Sequence, residues 1–245
     1  MKRNKLSLMI LSALVASTLT TFVGTSMANA TTLPADIICT GGSYHVDVTG
    51  AVTGETGPCT GSLILDKSVK SIADNAFFDA TLTSLTLNRG LLTIGENAFS
   101  TSLLDTLILN TKLTSIGGSA FLNANLTSLV LSPLVTFVGD NAFQMSPLNS
   151  LKLNNRLINI GDLAFASANL NSLRLNQALT TIGDSAFTAL PLTSLVLNRE
   201  LTSIGANAFS SVSLTCFTRP RNFDAALLTG TGLASFTALP RCNNH

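Results

Sequence analysis

The chain has 245 residues, of which 46% are hydrophobic and only 11% charged, and its formal net charge is +1. So few charged residues exclude a disordered tail and argue against binding to nucleic acid through overall charge. Two histidines and no tryptophan leave little for acid–base catalysis or zinc binding, so the composition predicts a folded, apolar protein outside most enzyme classes.

The first 30 residues have the features of a secretory signal peptide. Three basic residues among the first five precede an apolar stretch at 6–22, and Ala-Asn-Ala at 28–30 supplies the small residues of a cleavage site. The stretch is shorter than the about 20 residues that a membrane-spanning helix needs, so we favour cleavage over a retained anchor. Cleavage removes those three positive charges and no negative one, so we expect an exported chain of charge −2 without a membrane span.

Export places the four cysteines in an oxidising compartment, where they predict two disulfides. Cys39 and Cys59 precede a repetitive middle segment, and Cys216 and Cys242 follow it. Seven layers of about 4.8 Å would separate the ends of that segment by about 30 Å, far beyond the about 4.4–6.8 Å between the Cα atoms of a disulfide. We therefore expect Cys39–Cys59 and Cys216–Cys242. A zinc site is the alternative, but no CxxC pair or histidine has ligand spacing, so we expect no metal.

Residues 31–59 predict an N-terminal cap. Tyr44, Val46 and Val48 alternate as in a strand, and a run rich in Gly and Thr follows at 49–57. An uncovered end layer would expose leucines and free strand hydrogen bonds, so we expect a β-structured cap closed by the first disulfide.

An Ala-Phe pair then recurs every 22 residues without insertion. The phenylalanines of the seven pairs are Phe77, Phe99, Phe121, Phe143, Phe165, Phe187 and Phe209. With the preceding leucines they form the pattern L-x-x-L-x-L-N-x-x-L-x-x-I-G-D-x-A-F-x-x-x-x, which covers 60–213 and leaves 214–245 as a C-terminal cap. This period and spacing predict a leucine-rich repeat solenoid of α/β type.

Each unit predicts a strand, a turn, a second inward segment and a short helical turn. The inward leucines of the strands should form one column, and the seven phenylalanines another; the leucines are Leu85, Leu107, Leu129, Leu151, Leu173 and Leu195. The strands should stack into a parallel sheet, with a structural ladder of asparagines such as Asn176 after them. Gly183 should permit a sharp turn, and Asp184 should cap the helical turn that carries Phe187.

The segments Ile94–Phe99, Val138–Phe143 and Ile182–Phe187, each followed by a Leu-x-x-Leu-x-Leu strand, resemble the treponemal or BspA-like class of leucine-rich repeats. The resemblance covers 60–213. Two features depart from that class: Asn mostly replaces the usual Pro after the strand, and the usual Cys after the Ala-Phe pair is absent. The resemblance implies secreted or cell-surface microbial proteins that bind proteins or host surfaces, and it implies no catalytic residues.

No constellation in the sequence supports catalysis. Neither histidine falls inside the repeats, and the sequence has no nucleophile elbow, phosphate loop or dinucleotide fingerprint. Asp140, Asp162 and Asp184 form a column that invites a calcium hypothesis, but Gly118 interrupts this column and Ala206 ends it. We therefore expect a protein that is not an enzyme and has no cofactor.

The outward positions that vary between units are where a repeat array can carry specificity. Lys152 and Arg174 occupy successive places in one outward column, with Arg156 close by and Val130 and Val196 beside them. Such basic side chains can simply solvate an exposed sheet, which is the alternative. The sequence predicts a ligand-binding site of these five residues on the concave face, for a protein or glycan with an anionic patch and not for nucleic acid.

The sequence as a whole predicts an exported, non-catalytic leucine-rich repeat protein that acts as a binding or adhesion module. We expect it outside the cell or at the cell surface, with the periplasm as the other compartment. An inhibitor of, or scaffold for, another exported protein of the envelope is the alternative function. Labelling of intact cells would separate a surface location from a periplasmic one.

Overall fold

The computed structural model describes residues 35–242, so the predicted signal peptide at 1–30 and His245 lie outside the described residues. Within this range the chain winds into a solenoid of 22-residue layers, each with three sides. The first side is a strand, the second is a strand of two residues, and the third is a segment of successive turns. Hydrogen bonds between layers connect all three sides.

The strands and helices have the following bounds. The N-terminal end contains β1 (Ala35–Cys39), β2 (Gly42–Val46) and β3 (Ala51–Thr56). The first side contains β4 (Thr60–Ile64), β6 (Thr81–Thr86), β8 (Thr106–Ile108), β10 (Ser128–Val130), β12 (Ser150–Lys152), β14 (Ser172–Arg174), β16 (Ser194–Val196) and β18 (Cys216–Thr218). The second side contains β5 (Ser71–Ile72), β7 (Thr93–Ile94), β9 (Ser115–Ile116), β11 (Phe137–Val138), β13 (Asn159–Ile160), β15 (Thr181–Ile182) and β17 (Ser203–Ile204). Two 3₁₀ helices, Ala225–Leu228 and Ala234–Phe236, follow β18.

The seven strands of the second side and the three N-terminal strands form one continuous ten-stranded sheet, the long sheet. Its order is β1-β2-β3-β5-β7-β9-β11-β13-β15-β17. The strands β1, β2 and β3 pair antiparallel, and from β3 onward every pair is parallel. The second residue of each short strand points inward, as Ile94, Ile116 and Ile160 do, and all three are buried. This inward column fixes the register, because a slip of one residue would expose it.

The first side is divided into three sheets, β4-β6-β8, β10-β12 and β14-β16-β18. Among the described residues no ladder pairing joins β8 to β10 or β12 to β14. The predicted column of inward leucines is confirmed for Leu85, Leu129, Leu173 and Leu195, which are buried. Leu107 and Leu151 are only partly buried. They lie on β8 and β12, so the layers separate there and admit solvent to the core.

The predicted column of phenylalanines is confirmed. All seven rings are fully buried, and successive rings stack with centroids 5.1–5.5 Å apart and planes within 4–11° of parallel. Tyr44 covers the N-terminal end of the column by contacting Phe77 edge-on, with centroids 5.6 Å apart. Its hydroxyl accepts a hydrogen bond from the Asp66 N–H at 3.1 Å, which satisfies the polar end of a buried ring. The core is therefore one stack of aromatic rings with leucines and isoleucines around it.

The expectation of a helical turn on the third side is wrong. The Phe187 N–H donates to the Ala208 carbonyl of the next layer at 2.8 Å, and the equivalent bond recurs along the stack. Two residues per layer have left-handed backbone angles, such as Ser185 (φ 55°) and Ala189 (φ 58°). A helix needs uninterrupted right-handed angles and successive N–H groups that bond within the segment. Here left-handed residues interrupt the angles, and only alternate N–H groups, such as that of Thr188, bond within the turn.

The predicted cap role of Asp184 is wrong for the same reason. Its carboxylate accepts the N–H of Ala206 in the next layer at 2.7 Å, and Asp162 accepts the Asp184 N–H at 2.7 Å. A Cβ at Gly183 would lie 2.4 Å from Asp162 Oδ1 and 2.5 Å from its backbone nitrogen. Glycine is therefore required there because two layers approach closely, and not because a turn needs a positive φ.

Both predicted disulfides are present. Cys39–Cys59 joins Cα atoms 5.6 Å apart, and Cys216–Cys242 joins Cα atoms 4.9 Å apart. Each bridge closes one end of the stack, as the distance between the ends requires. Within residues 35–242, no helix has the length and hydropathy of a membrane span.

Candidate functional site

The outward side of the even-numbered strands from β4 to β18 is here called the strand face. It carries two columns of side chains of different character. One column is almost uniformly hydroxylated, with Ser62, Ser84, Thr106, Ser128, Ser150, Ser172 and Ser194. The other changes from layer to layer and reads Ile64, Thr86, Ile108, Val130, Lys152, Arg174, Val196 and Thr218. A uniform column serves the stack, so selectivity for a partner belongs to the second column.

The structure places the five predicted site residues on two neighbouring sheets. Val130 and Lys152 are ladder partners in β10 and β12, and Arg174 and Val196 are ladder partners in β14 and β16. Lys152 and Arg174 follow each other in the column, but the ladder is broken between their strands, so they are not the directly paired neighbours that the sequence predicted. Two cations opposite each other destabilise a strand pair, which favours a break at this layer.

This break opens a cleft of about 490 Å³ between β12 and β14. Lys152 and Arg174 line it together with the amides of Asn155 and Gln177 and the Ser172 hydroxyl. The cleft therefore combines two cations with groups that can donate and accept hydrogen bonds, and its floor is formed by leucines.

Two further depressions continue the cleft along the strand face. One of about 460 Å³ lies over β10 and β12 and is lined by Val130, Pro133, Lys152 and Arg156. The other, of about 310 Å³, lies at the break between β8 and β10, the first break along the chain, and is lined by Ile108 and Val130 among others. Lys152 belongs to the first two clefts and Val130 to the last two, so the three form one series. Val196 lines none of them and is half-buried.

The asparagine ladder holds the turns beside the clefts, and its predicted structural role is confirmed. The Asn154 amide donates to the carbonyls of Ser132 and Val135, at 2.5 and 2.9 Å. Its oxygen accepts the Arg156 N–H at 2.7 Å, which positions the turn that carries this cation. The asparagine thus links two layers and shapes the site without facing a partner.

The asparagine ladder is incomplete at both breaks in the first side, between β8 and β10 and between β12 and β14. Ser132 occupies an asparagine position next to the first break, and its short side chain cannot reach the previous layer; its hydroxyl is buried without a partner among the described residues. At the second break Asn176 donates to the Leu157 carbonyl at 2.8 Å, but its own oxygen is buried and unpaired within 35–242. Asn176 also lines the cleft between β12 and β14, so a buried acceptor without a donor among residues 35–242 lies at the edge of the candidate site. The amide oxygen of Asn198, away from the breaks, is likewise buried and unpaired in the same range.

The electrostatic character of the site is positive. Lys152, Arg156 and Arg174 are exposed, and no residue that lines the three clefts is acidic. No cluster of three or more His, Cys, Asp or Glu side chains in the described part of the chain is arranged to hold a metal ion. The arrangement suits the binding of a partner with negative and hydrogen-bonding groups, and it contains no nucleophile beside a base.

Sequence reasoning missed Asn155, Gln177 and Pro133, which line the clefts. All three occupy the position directly after the asparagine ladder. The variation of that position from layer to layer, for example Arg89 in one turn and Pro133 in another, was the signal that could have identified it.

The sequence matches the family described as BspA type leucine-rich repeat region, in six copies over residues 59–162 and 114–226. The matches cover more than half of the chain. No curated protein is similar enough in sequence to match.

Solved structures of bacterial leucine-rich repeat proteins have a similar fold. A leucine-rich repeat protein from Bacteroides ovatus is 24% identical with a TM-score of 0.62, over 67% of this chain and 44% of that one. The pneumococcal vaccine antigen PcpA is 18% identical with a TM-score of 0.53, over 78% and 71% of the two chains. A leucine-rich repeat protein of T. pallidum is 16% identical with a TM-score of 0.53, over 85% and 100%. This chain thus spans less than half of the Bacteroides protein, and at these identities the likeness concerns the fold.

Proposed function

The chain belongs to the BspA-type leucine-rich repeat family, and on this premise we propose that it is an exported, non-catalytic protein that binds a protein or glycan partner through its strand face. Repeat proteins of this kind present extended surfaces for interaction, and no catalytic function is indicated. Two disulfides, which persist in oxidising compartments, support export.

The observation that carries the proposal is the cleft between β12 and β14. A sheet that served only to build the stack would keep its ladder there, because each missing bond leaves backbone groups unpaired. Instead the ladder is open between two cations, with the unpaired Asn176 oxygen at the margin. The acidic groups of a ligand would be attracted to the two cations, and its N–H or O–H donors would pair with the Asn176 oxygen. Acidic peptides and acidic glycans are such ligands.

The apolar residues beside the clefts support a macromolecular partner over a small ion. Val130 is 64% exposed and Ile108 is 54% exposed, and both lie on the same series of clefts as Lys152. Protein partners bury exposed apolar groups of this kind at the centre of an interface, with charges nearby. We therefore place the partner across Ile108, Val130, Lys152 and Arg174, with Arg156 at one side and Val196 beyond.

The test begins with capture of binding partners by the exported protein, followed by binding of each partner to variants. Lys152→Glu with Arg174→Glu should weaken binding by at least about tenfold, about 1.4 kcal/mol, and should leave the melting temperature nearly unchanged. Wild-type binding should also weaken between 50 and 500 mM salt, because salt screens the attraction between exposed charges.

The matched control is Arg221→Glu, an exposed cation that lines none of the three clefts. It should bind as the wild type does. Full binding by the double variant, or an equal loss in the control, would contradict a site on the strand face at β12 and β14.

A further inference from the structure

The outer side of the long sheet carries a second surface, which shares only Arg156, at its margin, with the proposed partner site. This surface, here called the long-sheet face, is the outward side of the odd-numbered strands from β5 to β17. Its central column consists of the residues that precede these strands, namely Lys70, Leu92, Thr114, Thr136, Ile158, Thr180 and Thr202. It lies on the other side of the asparagine turn from the strand face, so the two faces can bind different partners.

The centre of the long-sheet face is more apolar than its threonines imply. Leu92, Phe137 and Ile158 are 45%, 41% and 47% exposed. The hydroxyl of Thr114 donates to the Leu92 carbonyl at 3.0 Å, and that of Thr180 donates to the Ile158 carbonyl at 3.2 Å. Because these hydroxyls are satisfied within the stack, covering the face would bury few unpaired polar groups.

The two margins of this face carry opposite charges. The margin after the first side, here called the cationic margin, contains Lys67, Arg89, Lys112, Arg156 and Arg199, all exposed. It also contains Glu200, which pairs with Arg199 at 2.8 Å, and its Arg156 lines one cleft of the strand face as well. The margin before the third side, here called the acidic margin, contains Asp74, Glu96, Asp140, Asp162 and Asp184, also exposed. Asp162 follows Arg156 by six positions, and an extended chain rises about 3.3 Å per residue, so the margins are at most about 20 Å apart across the face.

We propose that two copies of this chain associate through their long-sheet faces, related by a twofold axis parallel to the axis of the solenoid. Rotation about that axis exchanges left and right on the facing surface, so each cationic margin meets the acidic margin of the other copy. Layers meet their own equivalents, since the rotation preserves position along the stack. A twofold axis perpendicular to the solenoid would instead oppose cation to cation, and charge repulsion disfavours it.

The register of charges fits this arrangement in three of the seven layers, which carry Lys67 with Asp74, Arg89 with Glu96, and Arg156 with Asp162. Arg89 faces Glu96 of the second copy, and Arg156 faces Asp162 of the second copy, in each case twice by symmetry. Lys112 lies in the layer where Gly118 replaces the acid, and Arg199, in the layer of Ala206, pairs with Glu200 of its own chain, so neither has a direct counterpart in its own layer. The apolar centre would lie between the two charged margins, which is the usual anatomy of a protein interface.

The size of the face predicts a weak dimer. Seven layers at about 4.8 Å and a width of about 15–20 Å give about 500–670 Å² per copy, at the low end of specific interfaces. Exposed ion pairs add little each, so the association should be sensitive to salt. The strand faces of both copies stay uncovered, and the dimer would therefore present two partner sites at once and gain avidity at a surface.

The experiment is sedimentation equilibrium of the exported protein from about 10 to 300 μM, at 50 and 500 mM salt. We expect a monomer–dimer equilibrium that weakens by at least about tenfold at high salt. Arg89→Glu and Glu96→Lys should each weaken the dimer about tenfold, because each places like charges together at both symmetric contacts. An equimolar mixture of these two variants should restore it, because the new carboxylate at position 89 of one copy then faces the new ammonium group at position 96 of the other.

Two further variants separate the apolar centre and the strand face. Ile158→Thr, which installs the residue of the equivalent positions 114, 136, 180 and 202, should weaken the dimer by several fold without changing the melting temperature. Lys152→Glu changes a cation of the strand face and should leave the dimer unaffected. A monomer at all concentrations, a mixture that does not recover, or an equal loss with Lys152→Glu would overturn the proposal, and none of these outcomes bears on partner binding by the strand face.

Discussion

Removal of one ring from the centre of the phenylalanine column tests how the stack is held together. Phe143 is fully buried between Phe121 and Phe165, with ring centroids 5.3 and 5.5 Å away. Phe143→Ala leaves a cavity and removes both ring contacts, and such substitutions cost about 3–5 kcal/mol. Domains are stable by only about 5–15 kcal/mol, so this loss is a large fraction of the total.

The assay is urea unfolding followed by two probes. Far-UV circular dichroism reports on the sheets of all layers. Fluorescence of Tyr44, the sole tyrosine in a chain without tryptophan, reports on the N-terminal end, where its ring contacts Phe77. With a slope of about 2–3 kcal/mol per molar urea, the midpoint by circular dichroism should fall by about 1–2 M.

The second probe measures how far the loss spreads along the stack. Layers contact only their neighbours, so a defect in the middle can separate the array into parts that unfold independently. The wild type should show coincident transitions by both probes, and in Phe143→Ala the Tyr44 transition should come after the main one. Met145→Ala, at a side chain 56% exposed on the same turn segment, is the control and should change the midpoint little. A Phe143→Ala midpoint equal to that of this control would refute the reasoning.

Three further predictions follow from the backbone and the cap. Leu163 has a left-handed φ of 57°, so Leu163→Asn should stabilise by about 0.5–1 kcal/mol in thermal unfolding, whereas a lower melting temperature would contradict strain there. Gly183→Ala should lower the free energy of unfolding by about 1–3 kcal/mol, because its Cβ would lie 2.4 Å from Asp162 Oδ1 of the previous layer. Gly118→Ala is the control and should be nearly neutral in the same thermal melt, because its Cβ would meet nothing closer than 3.4 Å. Burial raises the pKa of Glu55 above its ordinary 4.5, and the hydrogen bond from the Cys59 N–H only partly lowers it again. The native state therefore binds more protons than the unfolded state, and stability falls as the pH rises from the unfolded-state pKa through the native-state pKa. Glu55→Gln should remove this fall in urea titrations between pH 4 and 7, and an unchanged slope would show that Glu55 does not cause it.

Much of the candidate site could be predicted from the sequence, but its shape could not. The varying outward column identified Lys152, Arg174 and Val130, and all three lie on the strand face. The cleft between the cations depends on a ladder that is broken in one layer and intact in the next, as between Val130 and Lys152. Each strand alone has the same pattern, so only the stacked layers show where pairing is lost.

By itself the sequence determined the 22-residue period, the columns of inward leucines and phenylalanines and the pairing of the cysteines. These follow from local spacing, because a fixed period places equivalent residues above one another in any stack. Tertiary structure alone decided the third side, where Phe187 bonds to the next layer instead of forming a helical turn, and the partner of the Asp184 carboxylate, which lies 22 residues away. An N–H group can bond within its turn or to the next layer at similar energy, so its choice depends on how closely the layers approach, and that distance is set by the whole stack.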